Sequence, residues 1–146
     1  MIRRATINDL NAIVLLTAEF FSPFLAKFGV QSNLSDIRNT ALQSISARQV
    51  LVVDHNGIVN GVAAWAIISH PANSNVKIFY ETIWCVKSKF KTDAFLLLRS
   101  LEREAVIAKA DLILMANLSD VHEEQLKRIF NKRGFSFIET HYSKQL

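Results

Sequence analysis

An α+β fold is the class this sequence predicts, and three local observations carry the prediction. Two strand-like runs, Gln49 to Asp54 and Ile58 to Ser69, are joined by His55-Asn56-Gly57, whose Asn and Gly accept the positive φ angles of a tight hairpin turn. A strongly helical run, AFLLLRSLEREAVIAKA, separates the strand-like stretches Val76 to Val86 and Leu112 to Ala116, which is the order of a βαβ crossover. At 146 residues the chain has the size of one domain, and no repeat, linker or composition shift divides 1–146.

The remaining elements follow from periodicity and caps. Ile2 to Ala5 alternates apolar and basic residues as a short strand, and Thr6, Asn8 and Asp9 are capping residues ahead of the helical stripe Leu10, Ile13, Val14, Ala18 and Phe21. Ser22-Pro23 is expected to break or restart that helix, which runs on through Phe24, Leu25 and Phe28 to a C-cap at Gly29. Ser35-Asp36 is expected to cap a second helix reaching about Ser46. Pro71 to Asn75 reads as a loop before the β-branched and aromatic strand Val76 to Val86, and Thr92-Asp93 as the cap of the following helix, where Arg99 and Glu102 are neighbours at helical spacing. Ser119-Asp120 then caps a helix ending near Lys132, and Gly134 leads into a final strand, FSFIETHY.

Composition excludes several classes of function. Half of the residues are hydrophobic, ten are Phe, and four Gly and two Pro interrupt them, so disorder and low complexity are excluded. The single Cys85 lies in an apolar run and reads as a buried thiol of a reducing compartment, which makes a cytoplasmic setting the expectation. MIRRATINDL lacks the pattern of a cleavable leader, and no apolar stretch reads as the roughly 20 residues of a membrane span, so no membrane partner is expected. The formal charge of +4 is spread among Asp and Glu and reads as a basic solvated face. The aromatic residues are core-like rather than arrayed with basic ones, so nucleic acid is not an expected partner. His55, His70, His122 and His141 are scattered and suggest no metal site, while Ser119, Asp120 and His122 lie too close together for anything but capping. No GxSxG, Walker or dinucleotide fingerprint occurs.

Several phrases, taken in order, resemble the GNAT superfamily of acetyl-CoA-dependent N-acetyltransferases over nearly the whole chain. IRRATINDLNAIVLL is similar to the opening strand and helix, VLVVDHNGIVNGVAAWAI to the second and third strands, and RIFNKRGFSFIE to the closing phrase. The resemblance implies a GNAT-like fold, a central, mostly antiparallel mixed sheet flanked by helices. It also implies acyl transfer from acetyl-CoA, or binding of CoA, between the fourth and fifth strands. There the turn after the fourth strand offers backbone N–H groups to the pyrophosphate at a helix N-terminus.

Two of the motifs the resemblance brings with it are altered. In the family the phosphate turn reads Q/RxxGxG/A, whereas here it is Lys91-Thr92-Asp93-Ala94-Phe95-Leu96, with neither Gly and with a carboxylate, Asp93, in the first turn. Phe130 occupies the place of the Tyr that protonates the departing thiolate, leaving Tyr142, Tyr80 or water as substitutes. A third feature fits a working enzyme: Glu81 in ETIWCV matches the general base of the histone acetyltransferase branch, and burial on an apolar strand would raise its pKa. Alternation also allows Glu81 to point to solvent beside Lys77, which is the more ordinary outcome for a single Glu.

The resemblance thus yields a definite set of site residues and two functional readings. Glu81 is the candidate base and Tyr142 the substitute acid. Ile83, Cys85 and Val86 are expected along the pantetheine, and Lys87, Lys89, Lys91 and Thr92 beside the phosphates, although alternating lysines also read as a solvated strand edge. The eroded turn favours a non-catalytic structural or binding module, similar to the degenerate GNAT-like proteins of tailed phages, some of them part of the virion, with a protein partner or a second copy of itself. The alternative is an active acetyl-CoA-dependent N-acetyltransferase that uses Glu81.

Overall fold

The computed structural model describes residues 1–87, 89, 91–116 and 123–144. By contacts the chain falls into two compact units, Met1–Leu114 and Met115–Leu146. The first holds a five-stranded sheet in the order β1 (Ile2–Arg4), β2 (Val50–His55), β3 (Ile58–His70), β4 (Asn73–Val86) and β5 (Leu112–Leu114). The first four strands are antiparallel neighbours, and β5 runs parallel to β4. The helix α3 (Lys91–Ile107) supplies the crossover between those two, as the sequence order requires.

The hairpin between β2 and β3 forms as expected, with Asn56 at φ 54° and Gly57 at φ 83°. Its closing hydrogen bond comes from the Gly57 N–H to Asp54 Oδ1 at 2.7 Å. The β4 strand starts at Asn73, three residues earlier than predicted, because only Pro71-Ala72 is needed for the turn from His70.

Helices cover both faces of the sheet. From α1 (Leu10–Ala26) and α2 (Leu34–Ser46), the side chains of Leu10, Ile13, Val14, Leu16 and Ala41 meet Val50, Val52, Val62, Ala64, Ile83 and Cys85. The alternate strand residues Leu51, Val53 and Ala63 are also buried and face the other side. There α3 contributes Leu97, Leu98 and Leu101, each fully buried and each stabilising the fold by about 1.5–3 kcal/mol.

Three local expectations are corrected in this unit. Pro23 lies inside an unbroken α1, since it forfeits one backbone hydrogen bond three residues before the helix ends while Phe20 and Phe21 continue to pack on the core. The cap of α2 is Asn33, whose Oδ1 accepts the Ser35 and Asp36 N–H groups, so Ser35 and Asp36 are the capped residues rather than the cap. The stretch Ile7–Ala26 does reach, by length and composition, what a membrane crossing needs, although its residues Leu10, Ile13, Val14 and Leu16 are part of the core described above. Gly29, at φ 64°, takes the left-handed position after α1 as predicted.

An ionic cluster closes the start of the chain. The Arg3 guanidinium donates to both Asp9 oxygens at 2.8 and 2.9 Å, and its Nε donates to Asp54 Oδ2 at 2.8 Å. Asp9 is buried and also accepts the Thr6 N–H at 2.8 Å, which ties β1 to the first helical turn. Arg3 holds the Asp9 carboxyl down to about 2 and lowers Asp54 as well, while both carboxylates raise the guanidinium.

The second unit contains α4 (Glu123–Lys132), ended by Gly134 at φ 84°. Within it the rings of Phe130 and Phe135 lie 5.2 Å apart. The predicted strand FSFIETHY is not one: Phe135 to Tyr142 is irregular chain, with Phe137, Ile138 and Tyr142 exposed. Alternation makes a strand only where a neighbour takes its backbone hydrogen bonds, and none is paired to this segment among the described residues. The expected caps Ser119 and Asp120 lie outside the described residues, as does His122.

Candidate active site

The β3–β4 ladder shifts register at two places, after Ala64 and after Ser69, and the candidate site is built around the first. Ala64 pairs with Ile83, whereas the next residue, Trp65, pairs with Glu81. Thr82 is therefore an extra residue on β4, a bulge. Glu81 does not point to solvent, the more ordinary outcome for a single Glu: its residue is only 7% exposed, in line with the buried Phe79, Ile83 and Cys85, while Thr82 is on the surface.

The same stretch of β4 has an open side. Pairing with β5 covers only Ile78, Phe79 and Tyr80, so from Glu81 to Val86 the strand has β3 along one edge and no strand along the other among the described residues. The Lys87 N–H donates to the Asn60 carbonyl of β3 at 2.9 Å. Backbone direction alternates along an antiparallel ladder, so Cys85 and Ile83 also face β3, and Trp84 and Val86 direct their N–H and C=O groups to the open side.

This geometry sorts the expected cofactor residues. Val86 is on the open edge, but Ile83 and Cys85 turn their backbones to β3 and their side chains into the core with α1 and α2. Trp84, which lies within the stretch Thr82 to Lys87 whose backbone is expected along the pantetheine, takes their place, and the early end of β5 is what singles it out. Gly61 sits behind this edge, where a Cβ would come within 2.9 Å of Val86 Cγ2 and 3.1 Å of the Cys85 carbonyl oxygen. Burial pushes the Cys85 thiol up to about 12, so it is no nucleophile at neutral pH.

Past the strand end, the first turn of α3 is tied to two neighbours. The Trp84 indole Nε1 donates to the Ala94 carbonyl at 3.2 Å. Asp93 Oδ2 lies 3.2 Å from His55 Nε2, at the end of β2. Lys87, Lys89 and Thr92 are exposed around this turn, and the Lys91 side chain lies outside the described residues. The bulky Leu96 does not stand at the β4 edge; it lines a groove on the β1 side with Ile2, Arg99 and Arg103. Tyr142 belongs to the second unit and is 94% exposed.

The arrangement fits part of the acyl-CoA site that the resemblance implies. A strand edge that no described strand covers can take the amides of a pantetheine arm as a further strand would. A buried carboxylate beside it can accept a proton. Among the described residues, no group of three His, Cys, Asp or Glu side chains is clustered to hold a metal.

No protein-family model matches the sequence, and no curated protein matches it either. Solved structures do. A protein of Clostridium acetobutylicum described as a predicted acetyltransferase, solved with acetyl-CoA, has a TM-score of 0.74 at 16% identity, covering 99% of this chain and 95% of that one. The protein AAC(6')-Iy, in complex with the bisubstrate analogue CoA-S-monomethyl-acetylneamine, has a TM-score of 0.73 at 13% identity, covering 100% of this chain and 98% of that one. A Trypanosoma brucei acetyltransferase has a TM-score of 0.73 at 14% identity, covering 100% and 99%. With a mixed five-stranded sheet flanked by helices and these neighbours over its whole length, the chain has the GNAT acetyltransferase fold.

Proposed function

We propose that this protein is an acyl-CoA-dependent N-acyltransferase with its reaction centre at the open edge of β4. The observation that carries the reading is the juxtaposition of a buried Glu81 with the strand edge from Glu81 to Val86, along which no described strand pairs on the side away from β3. The N–H and C=O groups of Trp84 and Val86 would hold the pantetheine arm, with Lys87, Lys89, Lys91 and Thr92 near the phosphates. When bound, acyl-CoA supplies the activated thioester. Glu81 accepts the proton of the incoming amine as its nitrogen bonds to the acyl carbon; the carbon–sulfur bond would break, with CoA leaving as the thiolate to take its proton from water, and the burial of Glu81 keeps water from the base itself. Two objections from sequence lose force: Leu96 lines the groove on the β1 side, and the Asp93 carboxylate is turned toward the His55 imidazole, 3.2 Å away.

The experiment is a binding titration followed by a transfer assay. Acetyl-CoA should raise the melting temperature and shift tryptophan emission through Trp84, and acetyl transfer to an amine should be lost in Glu81→Gln while binding persists. If acetyl-CoA at millimolar concentration does neither, the reading fails.

A second reading, a non-catalytic binding module on the same scaffold, is favoured by Phe130 and by the exchange of both phosphate-turn glycines for Ala94 and Leu96. Binding of CoA without transfer to any amine, in wild type and Glu81→Gln alike, would support it.

A further inference from the structure

A second groove runs between β1 and α3, lined by Ile2, Leu96, Arg99, Ser100 and Arg103, with Asp93 at its end. Residues 96, 99, 100 and 103 form one stripe of the helix, so the groove is a built face rather than a chance gap. Arg99 and Arg103 stand one turn apart, both are exposed, and neither holds an ion pair among the described residues. Two like charges at this spacing disfavour each other in the free helix.

Two acids close to the groove are engaged elsewhere. Asp93 meets His55 at 3.2 Å, and Glu104 pairs with Arg4. What remains is a cationic slot floored by Leu96 and Ile2. We propose that it binds an oxyanion, a phosphate or a carboxylate, at a site separate from the open edge of β4. Two guanidinium forks present several N–H donors in a geometry that matches such oxygens, and the anion removes the repulsion between the arginines.

Calorimetric titration with inorganic pyrophosphate and, in parallel, with citrate tests the proposal and distinguishes the two sources. Binding of either supports it when affinity falls about tenfold or more in the Arg99→Gln/Arg103→Gln variant and stays unchanged in Lys109→Gln. It is overturned if neither anion binds wild type, if the double variant binds equally well, or if saturating CoA displaces the anion. Absence of CoA binding would sink the acyltransferase reading alone and leave this test intact.

Discussion

Asp93 and His55 meet at 3.2 Å across the gap between the first turn of α3 and the end of β2. The contact takes a carboxylate that would oppose an incoming phosphate and turns it toward an imidazole. His55→Gln should therefore weaken acetyl-CoA binding by about twofold to fivefold, the effect of one charge at a helix terminus. Asp93→Asn should restore it in the same background, and a double-mutant cycle of dissociation constants measures the coupling.

The Arg3 and Asp9 pair sets an acid limit on stability. Because the Asp9 pKa falls from its ordinary 3.8 to about 2 on folding, its contribution is complete above the unfolded value and is lost as pH falls through the folded one. Asp9→Asn should cost about 1–3 kcal/mol near neutral pH. It should also flatten the loss of stability between these two values, which urea unfolding at several pH values would detect.

Gly61→Ala is expected to destabilise by about 1–3 kcal/mol through overpacking, since the new Cβ meets Val86, Val53 and the Cys85 carbonyl at 2.9–3.1 Å. The backbone oxygen cannot move aside without shifting β4. Thermal melts of the variant and wild type give the comparison.

Cys85 should resist thiol reagents in the native protein, its thiol being buried and pushed up to about 12. Labelling at neutral pH should keep pace with global unfolding, followed by reaction with a chromogenic disulfide across a denaturant series.

Glu81→Gln keeps the size of the side chain and removes its capacity to take a proton, so transfer should fall about 100-fold or more with little change in acetyl-CoA affinity. A parallel fall in both would assign Glu81 to structure instead.

Features encoded locally were legible in the sequence. The β2–β3 turn follows from Asn56-Gly57, the crossover from the pattern of α3, and the position of Glu81 on β4 from the phrase ETIWCV. Features that depend on a distant partner were not. The bulge at Thr82 shows only in the register with Trp65, and the prominence of Trp84 rests on where β5 stops. Asp93 is 38 positions from His55, and Asp54 is 51 from Arg3, so no periodicity links them. The final segment Phe135 to Tyr142 alternates like a strand, yet alternation does not supply the neighbour that a strand requires.

The central claim is that the open edge of β4 receives the acyl-CoA arm, and an amide-resolved NMR titration with CoA reads it directly. The account predicts that the N–H signals of Trp84 and Val86 shift most on β4, while those of Ile83 and Cys85, bonded toward β3, shift less. Unchanged Trp84 and Val86 signals at saturating CoA, or shifts confined to the Arg99 and Arg103 groove, would contradict it.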